Sequence, residues 1–248
     1  MTIEFAYAQA RAQARLGERL TPATWQLLEA SGTLAQYLHA ARSTDLQNRV
    51  RSLTAASSPH SIARSLRRDW RAEVDAARHW VPGRWRPAVA WTAWLCDLPA
   101  LAWLEQGGEP LKWMGNDPRL APFATDVDAL RQRELAAAGL GTLASSGDVL
   151  AAWRQRFVAL WPAGDAGARR VGKLVELVDD YRREPATGSR GRTVPGQPLE
   201  ARAVRLIRRN LQEPVTVFTH LLLVALDLGR LRDGLVRRVL FGDWLAAA

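Results

Sequence analysis

The stretch whose spacing best fits a chemical motif is Gly167-Ala-Arg-Arg-Val-Gly172-Lys173, which matches a phosphate-binding loop. Glycines in such a loop let backbone amides approach phosphates, and the lysine reaches the terminal ones. Leu174 stands where the loop needs a Ser or Thr to hold magnesium, and Pro-Ala-Gly-Asp-Ala separates the apolar run Phe157 to Trp161 from Gly167. The acidic pair Asp179-Asp180 follows in the same helical stretch, not on a separate strand. The segment therefore reads as a glycine-punctuated helix start. His39, His60, His79 and His220 are scattered, and only Asp75 with His79 forms an i, i+4 pair, which suits a surface hydrogen bond better than a metal needing several converging ligands. Asp126 with Asp128, and Asp179 with Asp180, are too close along a helix to face a common cleft. Cys96 sits in an apolar run as a small hydrophobe, and no serine occupies a nucleophile elbow. The sequence thus points to a protein that is not an enzyme, with no cofactor and no metal site.

Arginine is the one abundant functional group. The net charge of +9 comes almost wholly from it, because Lys112 and Lys173 are the only lysines. Such a field favours acidic partners, whether nucleic acid, an anionic membrane surface or an acidic protein. Two helical stretches concentrate the charge, at Arg64, Arg67, Arg68 and Arg71, and at Arg202, Arg205, Arg208 and Arg209. Both are candidate partner-binding faces, though neither carries a recognition-helix or aromatic-platform pattern. Tryptophans 80, 85, 91, 94, 103 and 113 cluster at helical spacing; they read as core, and any left exposed would mark a contact surface. A single cysteine excludes an intrachain disulfide and suits a cytosolic setting. Met1 to Arg19 lacks the apolar core of a secretory signal.

The elements that must position these residues are helical. With 48% apolar and 24% charged residues in 248, the chain can bury a sizeable core. Helices are expected from Ala8 to Leu20, after Thr21-Pro22, from Leu34 to Arg42, and from Ile62 through Leu66, Trp70, Val74 and Ala77 to Trp80. Val81-Pro82-Gly83 is a turn. Leu111 to Phe123 is irregular because of its prolines and glycine. Three more helices follow at Asp126 to Ala138, Asp148 to Trp161 and Ala166 to Arg183. Pro185 to Pro198 has no apolar periodicity and reads as a hinge or mobile loop, before helices from Leu199 and from Pro214. No run alternates with period two, so the fold class is all-α: one domain over 1–248, a multi-helix bundle or funnel.

Two distant segments repeat one plan. Pro87 to Leu104 and Pro214 to Leu235 each begin with proline, run apolar, and reach Asp-Leu with a further leucine three residues on: Asp97, Leu98 and Leu101 in the first, Asp227, Leu228 and Leu231 in the second. These are read as hinges between short helices, each aspartate partly buried and capping amides or pairing with an arginine. Pro87 to Leu104 is the nearest approach to a membrane span, but Asp97 and Pro99 argue for a buried helix pair; Val215 to Leu226 is shorter still.

Three passages together resemble the C subunit of A/V-type rotary ATPases, called subunit d in the eukaryotic enzyme. Phe5-Ala-Tyr-Ala-Gln-Ala-Arg-Ala-Gln-Ala-Arg-Leu looks like that family's opening Tyr-Ala-x-Ala-Arg helix. Ile62-Ala-Arg-Ser-Leu-Arg-Arg-Asp is similar to the helix before its first apolar repeat. The repeat itself places Asp97 and Leu101, and Asp227 and Leu231, at the family's acidic and leucine positions, with Ala100 and Arg230 where the family has asparagine. The resemblance leaves Leu111 to Pro198 uncovered, and usual members are longer, with three repeats. It implies a noncatalytic, funnel-shaped central-stalk subunit between the membrane rotor ring and the central shaft. Such a subunit would be cytoplasmic and peripheral on the inner face of the cell membrane. The alternative from charge alone is a basic helical protein that binds nucleic acid or serves as a scaffold.

Overall fold

The computed structural model describes residues 3–140, 148–183 and 197–246, and every regular element among them is helical, so the fold is all-α. The α-helices are α1 (Ala6–Gly17), α2 (Pro22–Glu29), α3 (Leu34–Arg42), α4 (Gln47–Val50), α5 (Pro59–Arg78), α6 (Arg86–Trp91), α7 (Leu98–Glu105), α8 (Asp128–Ala137), α9 (Val149–Ala159), α10 (Ala166–Arg183), α11 (Gln197–Arg209) and α12 (Pro214–Ala246). Their starts follow local chemistry. Thr21, Ser58 and Asp148 accept amide hydrogen bonds at the N-termini of α2, α5 and α9, and Thr33 with Gln36 forms a capping box on α3. Leu111 to Phe123 holds only two short 3-10 turns, as its prolines require.

Where the sequence suggested one domain hinged at 185–198, contacts divide the chain into two compact units: Met1–Arg86 with Pro162–Ala248, and Pro87–Trp161. The borders fall at Pro87 and Pro162, where ring closure interrupts helical hydrogen bonding. Residues 185–196 lie outside the described residues, and Gln197 and Pro198 already belong to α11.

In the first unit α12 is the axis, and α1, α3, α5, α10 and α11 pack against it. Two glycines set how closely. A Cβ on Gly167 would lie 2.3 Å from the Pro214 ring, and one on Gly234 would lie 2.6 Å from the Tyr37 hydroxyl. Arg238, buried on α12, donates to the carbonyls of Leu28, Glu29, Ser31 and Gly234 and lies over the Tyr37 ring. It thereby supplies donors to the carbonyls at the end of α2, that of Glu29 among them. Burial pushes the Tyr37 phenol up to about 12 despite the nearby Arg238 charge.

In the second unit α7 and α9 are neighbours. The indole of Trp91 donates to the Trp153 carbonyl at 3.0 Å, and that of Trp153 donates back to the Trp91 carbonyl at 3.3 Å. Trp153 stacks on Phe157, and Trp94 meets Phe123 edge-on. Of the clustered tryptophans, 80, 85, 91 and 94 are buried; Trp103 is exposed, with its indole over Gly108 and bonded to the Glu109 carbonyl.

The two repeat segments diverge. The first is α6, a 3-10 turn over Thr92–Cys96, and α7, with Asp97 at the junction. The second is uninterrupted helix through Asp227 and Leu231, with the first non-helical residue at Phe241. The hinge expected at Asp227 and Leu231 is therefore absent. The sequence's ranking of membrane-like segments also reverses: Pro214–Phe241 is a helix long and apolar enough to cross a membrane, though 67% of its apolar window is buried inside the fold.

Candidate functional site

The densest convergence of charged groups lies in the first unit, in a cleft of about 80 Å³ between α1, α4, α5 and α12. The end of α1 delivers Arg19, whose Nε and Nη2 donate to the two carboxylate oxygens of Asp227 at 2.8 and 2.7 Å. Its Nη1 donates to Glu200 of α11 at 2.9 Å. This is a two-pronged arginine–carboxylate bond, the geometry that makes such pairs strong and directional. Burial works against the Arg19 charge, but Asp227 and Glu200 together hold its pKa above the ordinary arginine value.

Across the cleft, Nε2 of His220 on α12 lies 3.0 Å from Glu73 Oε1 on α5, and Arg49 of α4 approaches the other Glu73 oxygen at 3.5 Å. The His220 ring packs against Trp80. Burial raises the Glu73 carboxyl, but the His220 bond and charge, followed by Arg49 and Arg15, outweigh it and hold the group below its usual range. Arg15 and Glu18 pair at the rim.

No serine, threonine or cysteine lines this cleft, and its arginines pair with its carboxylates. A ligand pocket typically measures roughly 300–1,000 Å³, several times this cleft. Among the described residues no group of three or more His, Cys, Asp or Glu could hold a metal ion. The arrangement is suited to fastening helices. A wider surface cleft of about 400 Å³ in the second unit is lined by Trp91, Trp94, Gly139 and Arg156 and offers no acid–base set.

The residues singled out by sequence fall in different places. Asp97 is fully buried; it makes no capping bond to α7, and its Oδ2 lies 3.7 Å from Arg119 Nε. The Arg119 guanidinium covers the Trp94 ring at 3.7 Å. Asp227 sits mid-helix and pairs with Arg19. Leu101 and Leu231 are core residues. On α5, Arg64 and Arg68 are exposed while Arg67 and Arg71 are half-buried, and Arg68 bonds Ser52 and Ser65. On α11, Arg202, Arg205, Arg208 and Arg209 are all exposed.

The Gly167–Lys173 segment is helix from Ala166 onward, and Asp165 accepts from the Gly167 amide, the Trp85 indole and Arg84 at its start. No phosphate-cradling loop exists there; Gly167 instead admits Pro214. His79 bonds the Asp75 carbonyl, while the Asp75 carboxylate takes Arg78. Arg19, Arg49, Glu73, Arg119 and Arg238 went unnoticed in the sequence, and His220 was seen there only as one of four scattered histidines. Their partners are mostly tens to hundreds of positions away, and no local spacing announces such pairs.

No protein-family model matches the chain, and neither does any curated protein or solved structure.

Proposed function

We propose that this chain is a noncatalytic coupling subunit of an A/V-type rotary ATPase, cytoplasmic and peripheral to the membrane, linking the rotor ring to the central shaft. The observation that carries the reading is the docking of its family-like opening helix on its second repeat helix. Gln9 of α1 accepts from the Gln212 amide and the Thr216 hydroxyl, Ala8 and Ala12 are fully buried, and Arg19 closes the contact on Asp227. Two passages about 200 residues apart that carry the resemblance thus form one packed body.

A subunit that transmits torque needs stiffness rather than a reaction site. A half-buried, bidentate ion pair serves stiffness well, because separating its partners leaves each charge in a less well solvated place than bulk water. The ion pairs joining α1, α4, α5, α11 and α12 fit that task.

Co-expression with ring and shaft subunits tests the reading. The chain should co-purify with at least one of them at low salt; recovery with neither would overturn it.

A further inference from the structure

The two basic stretches differ in what their arginines already hold. On α5 the charges are partly spent: Arg68 bonds two serines, Arg78 holds Asp75, and Asp69 lies among them. On α11 the four arginines face outward, and none pairs with a carboxylate among the described residues. The nearby carboxylates are committed elsewhere, Glu200 to Arg19 and Glu213 to Arg170.

The geometry of α11 separates two faces. Leu199, Ala203 and Ile207 are buried, with Ala203 and Ile207 in a cluster with Leu223 that Leu16 and Val204 extend. Arg202, Arg205, Arg208 and Arg209 occupy about 120° of arc and about 10 Å of helix on the opposite side. Ala201 is the other exposed side chain among them, and Leu211 is exposed just beyond the helix end. Among Ala201, Arg202, Arg205, Arg208 and Arg209, the described exposed side chains of this face, there is no aromatic on which a base could stack and no amide to read a base edge. The face is a closely spaced set of guanidiniums, each suited to a phosphate oxygen.

We infer that the outer face of α11 docks on the phosphate headgroups of an anionic lipid bilayer. The apolar face of the helix is used in the core, so contact is electrostatic and at headgroup level, with Leu211 alone available to enter the interface. The inference deepens the membrane-peripheral part of the proposed function and rests on it. It gives that part a definite contact.

Co-sedimentation of the purified full chain with lipid vesicles tests it. The chain should pellet with vesicles of equal parts phosphatidylcholine and phosphatidylglycerol, remain in solution with pure phosphatidylcholine, and be released as salt rises. Each arginine near an anionic surface strengthens binding by roughly fivefold, so Arg205→Gln with Arg209→Gln should weaken it about 25-fold. Both side chains are exposed, and an unchanged thermal midpoint shows that the variant is folded. Arg64→Gln with Arg68→Gln on α5 should leave binding within a few-fold of wild type.

Equal binding to neutral vesicles, equal loss in the α5 variant, or tighter binding to duplex DNA than to anionic vesicles at the same salt would each overturn the inference. Failure to bind vesicles while still co-purifying with ring or shaft overturns the lipid contact alone. Vesicle binding without co-purification overturns the rotary-ATPase reading alone.

Discussion

Pro87–Leu104 and Pro214–Leu235 begin alike and end differently. In each, a proline opens an apolar run that leads to Asp-Leu with a leucine three residues later, yet the first is broken into two helices and the second is one. The sequences part at the position two residues after the aspartate. Pro99 stands there in the first segment and Gly229 in the second. Proline lacks an amide hydrogen, and its ring collides with the carbonyl four residues back, so helix cannot run unbroken through residues 95–99. Glycine only weakens a helix, by about 1 kcal/mol relative to alanine, and packing on α1, α5 and α11 readily exceeds that. A proline at this position is therefore incompatible with a continuous strut, whereas a glycine permits one.

The aspartates diverge with the backbone. Asp97 ends up at a helix junction, fully buried beside Arg119, which also covers Trp94. Asp227 ends up mid-helix as the anchor for Arg19. The same dipeptide thus organises a turn in one unit and fastens a distant helix in the other.

The largest effects test what the segments share. Leu101 and Leu231 are both core residues, 3% and 0% exposed, and truncation of either to alanine should cost about 2–5 kcal/mol in denaturant unfolding. If one leucine proves neutral, the two segments do not share a packing role. Next is the exchange that defines their difference. Gly229 is exposed, with nothing within 4 Å of the space a Cβ would fill, so Gly229→Pro acts on the backbone alone and should cost about 3 kcal/mol with loss of far-ultraviolet helicity. Gly229→Ala should stabilise by up to about 1 kcal/mol. A tolerated proline would mean that residue type does not decide the break.

Those comparisons also show how far the sequence could be read. Capping residues, helix periodicity and the proline turns are local signals, and α1 to α3, α5, α9 and α10 lie where those signals put them. The continuity of α12 was hidden because the repeated Asp-Leu-x-x-Leu pattern looked like a hinge, while Gly229 in place of a proline let the helix run through it. The site was less legible still. Arg19 meets Asp227 across 208 positions, and Glu73 meets His220 across 147. Such pairs are set by how helices pack, and nothing in the spacing of either partner foretells it. The basic clusters were visible as sequence, but whether an arginine is free or spent depends on neighbours such as Ser52 and Ser65.

Alkaline pH should separate the two units. All three tyrosines, Tyr7, Tyr37 and Tyr181, belong to the first unit, and Tyr37 is held up to about 12 against an ordinary 10.0. A raised folded value means the stabilisation is complete below pH 10, where the unfolded phenol is neutral, and is lost as pH rises through 10 toward 12. The full loss is about 2–3 kcal/mol. Ultraviolet titration should show one phenol ionising late, with amide exchange accelerating in Leu34–Arg42 and Pro214–Phe241 before Pro87–Trp161. Uniform acceleration would remove the contrast.

The aspartates can be compared through their arginines. Double-mutant cycles should give Arg19 with Asp227 a coupling of about 1.5–3 kcal/mol, as for a half-buried hydrogen bond between charged groups. Arg119 with Asp97, where Nε stands 3.7 Å from Oδ2, should couple less. Equal couplings would mean that the two aspartates serve as the same kind of anchor despite their different backbones.

The smallest effect probes the junction itself. Pro99 is exposed at the start of α7, so Pro99→Ala removes no core contact. If the burial of Asp97 beside Arg119 holds the junction, the turn persists and the variant loses only the proline's restriction of the unfolded chain, about 0.4–1 kcal/mol. If proline alone enforces the break, residues 92–98 instead relax into α-helix, and far-ultraviolet helicity rises with no loss of stability. The first outcome is expected, because straightening the segment would rotate a fully buried carboxylate away from its arginine, at a cost above anything a few additional helical hydrogen bonds return.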